Sequence, residues 1–262
     1  MSTEQTNAIV LRCVEFSETS LIVTLFTRDF GRVSAMAKGA RRPKGPFEGA
    51  LDLLSVCRVV VIRKQSDALD LLTESKLHRR FRAATRSIDR VYAGYAVIEL
   101  LRIMTDDDQP HVDIYDLTIA TLSQIDGPGN VAASLLYFEV QLLRMLGHNP
   151  GTDRCTDCGV PLPGRGDVDG DTARSLPFSL DSGGLVCDDC RVRQRDNVMV
   201  SPAVLGTLDY LSGAKTRLPV SMRSDIYPAL RHLMDRYVQT IAGRRPKMQS
   251  FSPHRLFPST PS

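Results

Sequence analysis

Leu21-Ile22-Val23-Thr24-Leu25-Phe26-Thr27, then Arg28-Asp29-Phe30-Gly31, then Arg32-Val33-Ser34-Ala35-Met36-Ala37-Lys38 is the stretch on which the fold turns. The first seven residues are apolar and β-branched, as strand residues are. Asp29 to Gly31 reads as a hairpin turn. Apolar side chains at 33, 35 and 37 then recur with the period of two that buries one face of a strand. Working outward, Ala8-Ile9-Val10-Leu11 is a strand upstream. Val56 to Ile62 and Leu69 to Thr73 are strands downstream. Five short strands in so short a stretch suit a closed barrel better than a sheet with bare edges. A five-stranded oligonucleotide-binding (OB-fold) barrel is the expected architecture.

Beyond Leu77 the period becomes helical. Ile88, Val91, Tyr92, Tyr95, Ile98 and Leu101 share one helix face. Ile114, Leu117, Leu122 and Ile125 share a second, stopped by Gly127-Pro128-Gly129-Asn130. Val131, Leu135, Phe138, Leu142 and Leu146 share a third, ended by Gly147 and Asn149-Pro150-Gly151. Ser201-Pro202 carries the N-cap and first-position signals of a fourth. Ile226, Leu230, Leu233, Met234, Tyr237, Val238 and Ile241 stripe the last, which Gly243 ends.

Between the third and fourth helices lie two cysteine couples, Cys155-Thr156-Asp157-Cys158-Gly159 and Cys187-Asp188-Asp189-Cys190, 28 residues apart. Four thiols so spaced are the ligands of one tetrahedral, structural Zn²⁺. Gly159 suits the knuckle turn, and Gly183-Gly184 a turn into the second couple. Zinc with four thiolates carries a formal charge of −2, which Arg154, Arg191, Arg193 and Arg195 are near enough in sequence to offset. The loop Pro163 to Asp171 is rich in glycine and aspartate, but its spacing is not that of a calcium-binding EF-hand. Cys13 and Cys57 stand alone in apolar runs and read as buried packing.

The 262 residues are 42% hydrophobic and 24% charged, as in ordinary globular proteins. No apolar run approaches the ~20 residues that span a bilayer. Met1 to Asn7 lacks the basic and apolar segments of a secretion signal, so a cytoplasmic location and no membrane partner are expected. The net charge of +3 is unevenly placed: residues 1–80 hold 13 lysines and arginines against nine acids. Lys38-Gly39-Ala40-Arg41-Arg42-Pro43-Lys44-Gly45-Pro46 packs four cations into a segment that its glycines and prolines keep irregular. An exposed loop of unpaired cations binds phosphates. The nucleic-acid-binding candidates are therefore Arg32, Lys38, Arg41, Arg42, Lys44, Arg63 and Lys64. His78-Arg79-Arg80 and Arg82 could extend the patch, and Phe30 and Phe47 could stack bases. Catalytic constellations are not evident. There is no phosphate-cradling glycine loop, no dinucleotide fingerprint and no paired-histidine metal motif. Asp106-Asp107-Asp108 reads as a solvated loop.

The order of these features resembles the RecO family of bacterial recombination mediators. The resemblance is carried by Ala8-Ile9-Val10-Leu11 with Glu18-Thr19-Ser20-Leu21, by Lys38-Gly39-Ala40-Arg41-Arg42, and by Leu142-Leu143-Arg144-Met145-Leu146-Gly147 before the first couple. Phe178-Ser179-Leu180-Asp181-Ser182-Gly183-Gly184-Leu185-Val186-Cys187 completes it. It covers roughly residues 7–245, and the long loop between the couples departs from the family. It implies a non-enzymatic, nucleoid-associated DNA repair protein that binds single- and double-stranded DNA and anneals complementary strands. It also implies loading of the RecA recombinase with RecR, and contact with the C-terminal tail of single-strand-binding protein. A DNA ligase fragment, which also joins a barrel to a four-cysteine module, needs a Lys-x-Asp-Gly lysine that the chain lacks. A zinc-stapled RNA-binding or interaction module is the other reading. The expected class is α+β: an OB-fold domain over 1–80, then a helical domain over 81–245. The helical domain carries the zinc module at about 152–195, and a disordered tail covers 246–262.

Overall fold

A computed structural model describes residues 2–42, 45–47, 49–64, 68–162, 174–213 and 222–251. Lys44, the Gly/Asp-rich loop from 163 and the tail from 252 lie outside the described residues. The chain forms two compact units, Met1–Pro128 and Gly129–Ser262.

In the first unit β1 (Ser2–Glu15), β2 (Leu21–Thr27), β3 (Gly31–Ala37), β4 (Val56–Arg63) and β5 (Asp70–Arg79) close into a barrel. Its strand order is β1-β2-β3-β5-β4, with β3–β5 the parallel pair and the other pairs antiparallel. This is the arrangement of an OB-fold. Closure depends on β1, which is far longer than its apolar centre. Ser2 to Ile9 pairs with β4, and Ala8 to Glu15 pairs with β2. A bulge between Val10 and Arg12 lets the strand bend from one neighbour to the other. Ala8, Val10, Val23, Leu25, Val33, Ala35, Cys57, Val59 and Leu72 fill the interior.

Residues 45–47 and 49–55, between β3 and β4, contribute to the barrel core. Phe47 and Ala50 enter the barrel core, and Leu54 N–H and Val10 N–H bond reciprocally to Val10 and Ser55 carbonyls at 2.9 and 3.0 Å. The other apolar side of β1 and β2 (Ile9, Leu11, Phe26) is buried as well. Phe26 stacks on Tyr115, ring centroids 6.3 Å apart. Tyr115 belongs to α2 (Val112–Asp126), which follows α1 (Ile88–Met104). Ser87 caps α1 by accepting from Asp89 N–H.

The second unit is built on α3 (Val131–Met145), buried along Val131–Leu143. Asn130 caps it, accepting from Ala133 N–H at 2.9 Å. A small sheet follows, with β6 (Leu176–Ser179) between β7 (Gly184–Leu185) and β8 (Asn197–Val200). The short α4 (Asp188–Arg191) lies between β7 and β8 in sequence. The sheet adds strands of two to four residues to a region expected to be helical; strands so short leave no periodicity to read. α5 (Pro202–Ser212) is capped by Ser201, and α6 (Tyr227–Ala242) ends at Gly243 with φ +64°. Lys247–Phe251 forms a 3₁₀ turn.

Candidate functional site

Two sites emerge, one in each unit. The four cysteines Cys155, Cys158, Cys187 and Cys190 converge, with all four sulfurs within 4.8 Å of one another. Local backbone explains the convergence. Cys155 N–H bonds Val160 carbonyl and Gly159 N–H bonds Cys155 carbonyl, each at 2.9 Å, closing the first knuckle. Gly159 sits at φ +76°, a conformation that side chains resist. Thr156 N–H bonds Leu185 carbonyl at 2.9 Å and stitches that knuckle to β7. The backbones pass closely there: a Cβ on Gly184 would lie 2.8 Å from Gly151 O. Cys187 then caps α4, which brings Cys190 back toward it.

The donor set fits zinc. Bonds of about 2.3 Å in a tetrahedron require sulfurs about 3.8 Å apart. Cys158 and Cys187 sulfurs are 3.7 Å apart, too far for a disulfide. Burial opposes ionisation of Cys155, but N–H groups of Cys158, Cys187 and Asp157 outweigh it and bring the thiol down to about 6. Of the four arginines expected to offset the thiolates, Arg193 does so. It donates to Cys190 Sγ at 3.2 Å and pairs with Asp157 at 3.4 Å. Arg154 instead pairs with Asp153. All four positions are sulfur, so the site leaves no place for a reacting water. Cys13 and Cys57 lie apart from it. Both donate to backbone carbonyls, of Leu51 and Ala50, and burial pushes the Cys13 thiol up to about 11.

The cationic candidates divide into two groups. Arg32 and Arg63 are neutralised within the protein. Arg32 pairs with Asp107 at 2.6 Å and donates to the Arg102 carbonyl. Arg63 pairs with Asp70 at 2.9 Å and with Asp108, and lies over the Phe30 ring. Asp107 and Asp108 are thus ion-pair partners of the barrel rather than a purely solvated loop. Asp108 N–H also bonds Arg32 carbonyl at 3.0 Å. Lys64 is half-buried, and its backbone N–H, not its ammonium, bonds Asp70 at 2.8 Å. Arg79 and Arg80 are likewise held, on Ser123 and Asp52, whereas Arg82 is exposed and gives only its backbone N–H to Asp126.

Lys38, Arg41 and Arg42 form the other group. All three are exposed, and Lys38 and Arg42 pair with no acid among the described residues. Arg41 makes a half-exposed pair with Glu15 at 3.1 Å. The loop is fixed at both ends. β3 ends at Ala37, the Arg42 N–H closes a turn on the Gly39 carbonyl at 3.0 Å, and Phe47 is corked into the barrel. Arg41 N–H hooks the loop onto Thr19 carbonyl in the β1–β2 turn at 3.1 Å. Phe47 is 3% exposed and Phe30 packs on the core, so neither stacking candidate offers a free face. An exposed ring of this unit is Phe16, 58% exposed, in the turn that Arg41 grips. A lone aromatic in the polar run Glu15-Phe16-Ser17-Glu18 was the available signal.

No described helix is long and apolar enough to cross a membrane. The family model described as Recombination protein O N terminal matches residues 1–81, and that described as Recombination protein O C terminal matches residues 85–245. The chain is 46% identical to "DNA repair protein RecO" of Rhodopirellula baltica over 95% of its own length and 98% of the relative's. It is 31% identical to the protein of that name from Myxococcus xanthus, over 94% and 95%. With both halves matched in order, around a closed barrel and a four-cysteine cluster, the chain belongs to the RecO family.

Proposed function

We propose that this chain is a non-enzymatic mediator of DNA repair and homologous recombination, which holds single- and double-stranded DNA by its phosphates and anneals complementary strands. The observation that carries the reading is the exposed cationic loop, Lys38 to Arg42, pinned to the β1–β2 turn, in which Lys38 and Arg42 pair with no acid among the described residues. Such a loop neutralises backbone phosphates without reading sequence. Annealing then needs two strands whose repulsion is lowered and whose bases stay accessible, and no catalytic group. Lys44, next in the loop, belongs to the same contact set. Arg32 and Arg63 serve instead to hold the acidic segment on the barrel. Zn²⁺ would be held by Cys155, Cys158, Cys187 and Cys190 and would supply cross-linking alone. Following the family, the partners are RecR, the tail of single-strand-binding protein and, through them, RecA, in the cytoplasm.

The test is annealing of complementary oligonucleotides, with and without single-strand-binding protein. The full-length protein accelerates annealing, and Lys38→Glu/Arg41→Glu/Arg42→Glu slows it for every sequence tried. Annealing by the triple variant at the parental rate would reject the loop as the contact.

A further inference from the structure

We propose that Phe16 is a base-stacking platform that gives the cationic loop its hold on unpaired bases. The inference rests on the DNA-binding reading above and names a residue which that reading does not use.

Three observations converge on it. The first is exposure. Phe16 is 58% exposed while the other phenylalanines of the barrel, Phe26 and Phe47, are buried and Phe30 is packed. A large apolar ring left in water costs stability that burial would recover. The second is rigidity. The Phe16 and Ser17 N–H groups both bond the Ser20 carbonyl, at 3.0 and 3.3 Å, and Ser20 N–H bonds Ser17 Oγ at 3.2 Å. A turn whose backbone is so held has little further ordering to undergo when a base lands on its ring. The third is position. Arg41 joins the two segments twice, by its N–H to Thr19 and its guanidinium to Glu15. The ring and the unpaired Lys38 and Arg42 therefore belong to one braced unit.

The β1 bulge aims this face. Before it Ala8 and Val10 point into the barrel; after it Cys13 does. The phase change turns Arg12 and Val14 outward on the strand leading to Phe16. Val14 pairs in register with Ile22, and Ile22 with Met36. Those three make an apolar row across β1, β2 and β3, exposed or half-exposed. This is the surface, strands 2 and 3 with the first loop, that OB-folds present to oligonucleotides. Glu18, close to the ring in sequence, repels phosphate while Glu15 is taken up by Arg41, so a strand meets Phe16 with a base and directs its phosphates to Lys38 and Arg42. Duplex DNA has no unpaired base to offer and is held by the cations alone.

The experiment uses the full-length, zinc-loaded protein with a single-stranded oligonucleotide containing 2-aminopurine and a blunt duplex of the same sequence. Phe16→Ala weakens single-strand binding about 5- to 150-fold, the effect of losing one base–aromatic stack. It removes the 2-aminopurine quenching and leaves duplex affinity and the salt slope unchanged. Phe16→Trp restores binding, whereas Phe16→Leu, apolar but without a π-face, does not. Lys38→Gln/Arg42→Gln does the converse, flattening the salt slope on both substrates. Parental single-strand affinity in Phe16→Ala beside a weakened Lys38→Gln/Arg42→Gln would overturn the stacking role and leave the cationic loop standing. Equal losses on both substrates, or rescue by Phe16→Leu, would overturn stacking too. A parental protein that binds neither DNA would overturn both readings.

Discussion

Arg231 and Glu139 form an ion pair sealed inside the second unit, at 2.6 Å, with side chains 9% and 4% exposed. Asp235 adds a second carboxylate at 2.7 Å, one helical turn from Arg231. Removing one partner strands the other charge in a dry site, which costs about 3–5 kcal/mol, while replacing both by apolar residues is near neutral. Arg231→Ala, which strands Glu139 beside Asp235, should therefore lower the unfolding free energy by about that amount in a denaturant titration, and Glu139→Leu/Arg231→Met/Asp235→Leu should recover most of it. A loss under ~1 kcal/mol for the single variant would show that the pair is solvated. Neither residue stood out in the sequence, where the helix stripes were read through their apolar members. A charge within a stripe is legible as buried only when its partner on another helix is known. The cysteines were legible for the opposite reason: their spacing is local, and the same four residues meet in the structure.

At the scale of elements, the four-cysteine module is, among the described residues, a set of turns and very short strands, with Phe178, Leu180 and Leu185 buried beside it. Its apolar cluster is Val186 with the cysteines, packed by Leu162. A metal bond network contributes apparent folding free energy of roughly 10–16 kcal/mol in such modules, more than the remaining contacts supply. Cys187→Ser, or chelation of the parental protein, should unfold the segment around residues 150–200. Hydrogen exchange would show loss of protection there, with the barrel strands still protected. Retained protection in the metal-free segment would contradict a stapling role. The strands of the barrel were legible where they are apolar: β2 is as expected, and β3 and β4 agree to within a residue at each end. β1 and β5 extend further because their outer parts are polar. Ser2 to Asn7 pairs with β4, and Glu74 to Arg79 alternates exposed and covered residues along β4. Pairing to close a barrel, rather than apolar content, makes those residues strand.

Across the whole molecule, charge and chemistry sit in different units. The sulfur cluster lies in Gly129–Ser262 and the free cations in Met1–Pro128. The basic excess of the first 80 residues marks the unit that carries the cationic loop, but composition overcounts it. Arg28, Arg32, Arg63 and Arg80 face Asp116, Asp107, Asp108 and Asp52, acids that only the fold brings near. Lys38 and Arg42, which pair with no acid among the described residues, stay free for phosphate on one loop. The central claim is thus that this loop, and not the metal module, holds DNA. It is tested most directly by the dependence of single-strand affinity on salt. Each phosphate contact contributes about 0.7 to the slope of log Kobs against log salt. Lys38→Gln/Arg42→Gln should make the slope shallower by about 1.4 for every sequence, and Cys187→Ser should leave it as it is. A slope unchanged by the loop substitutions, or one that falls with the cysteine, would contradict the account.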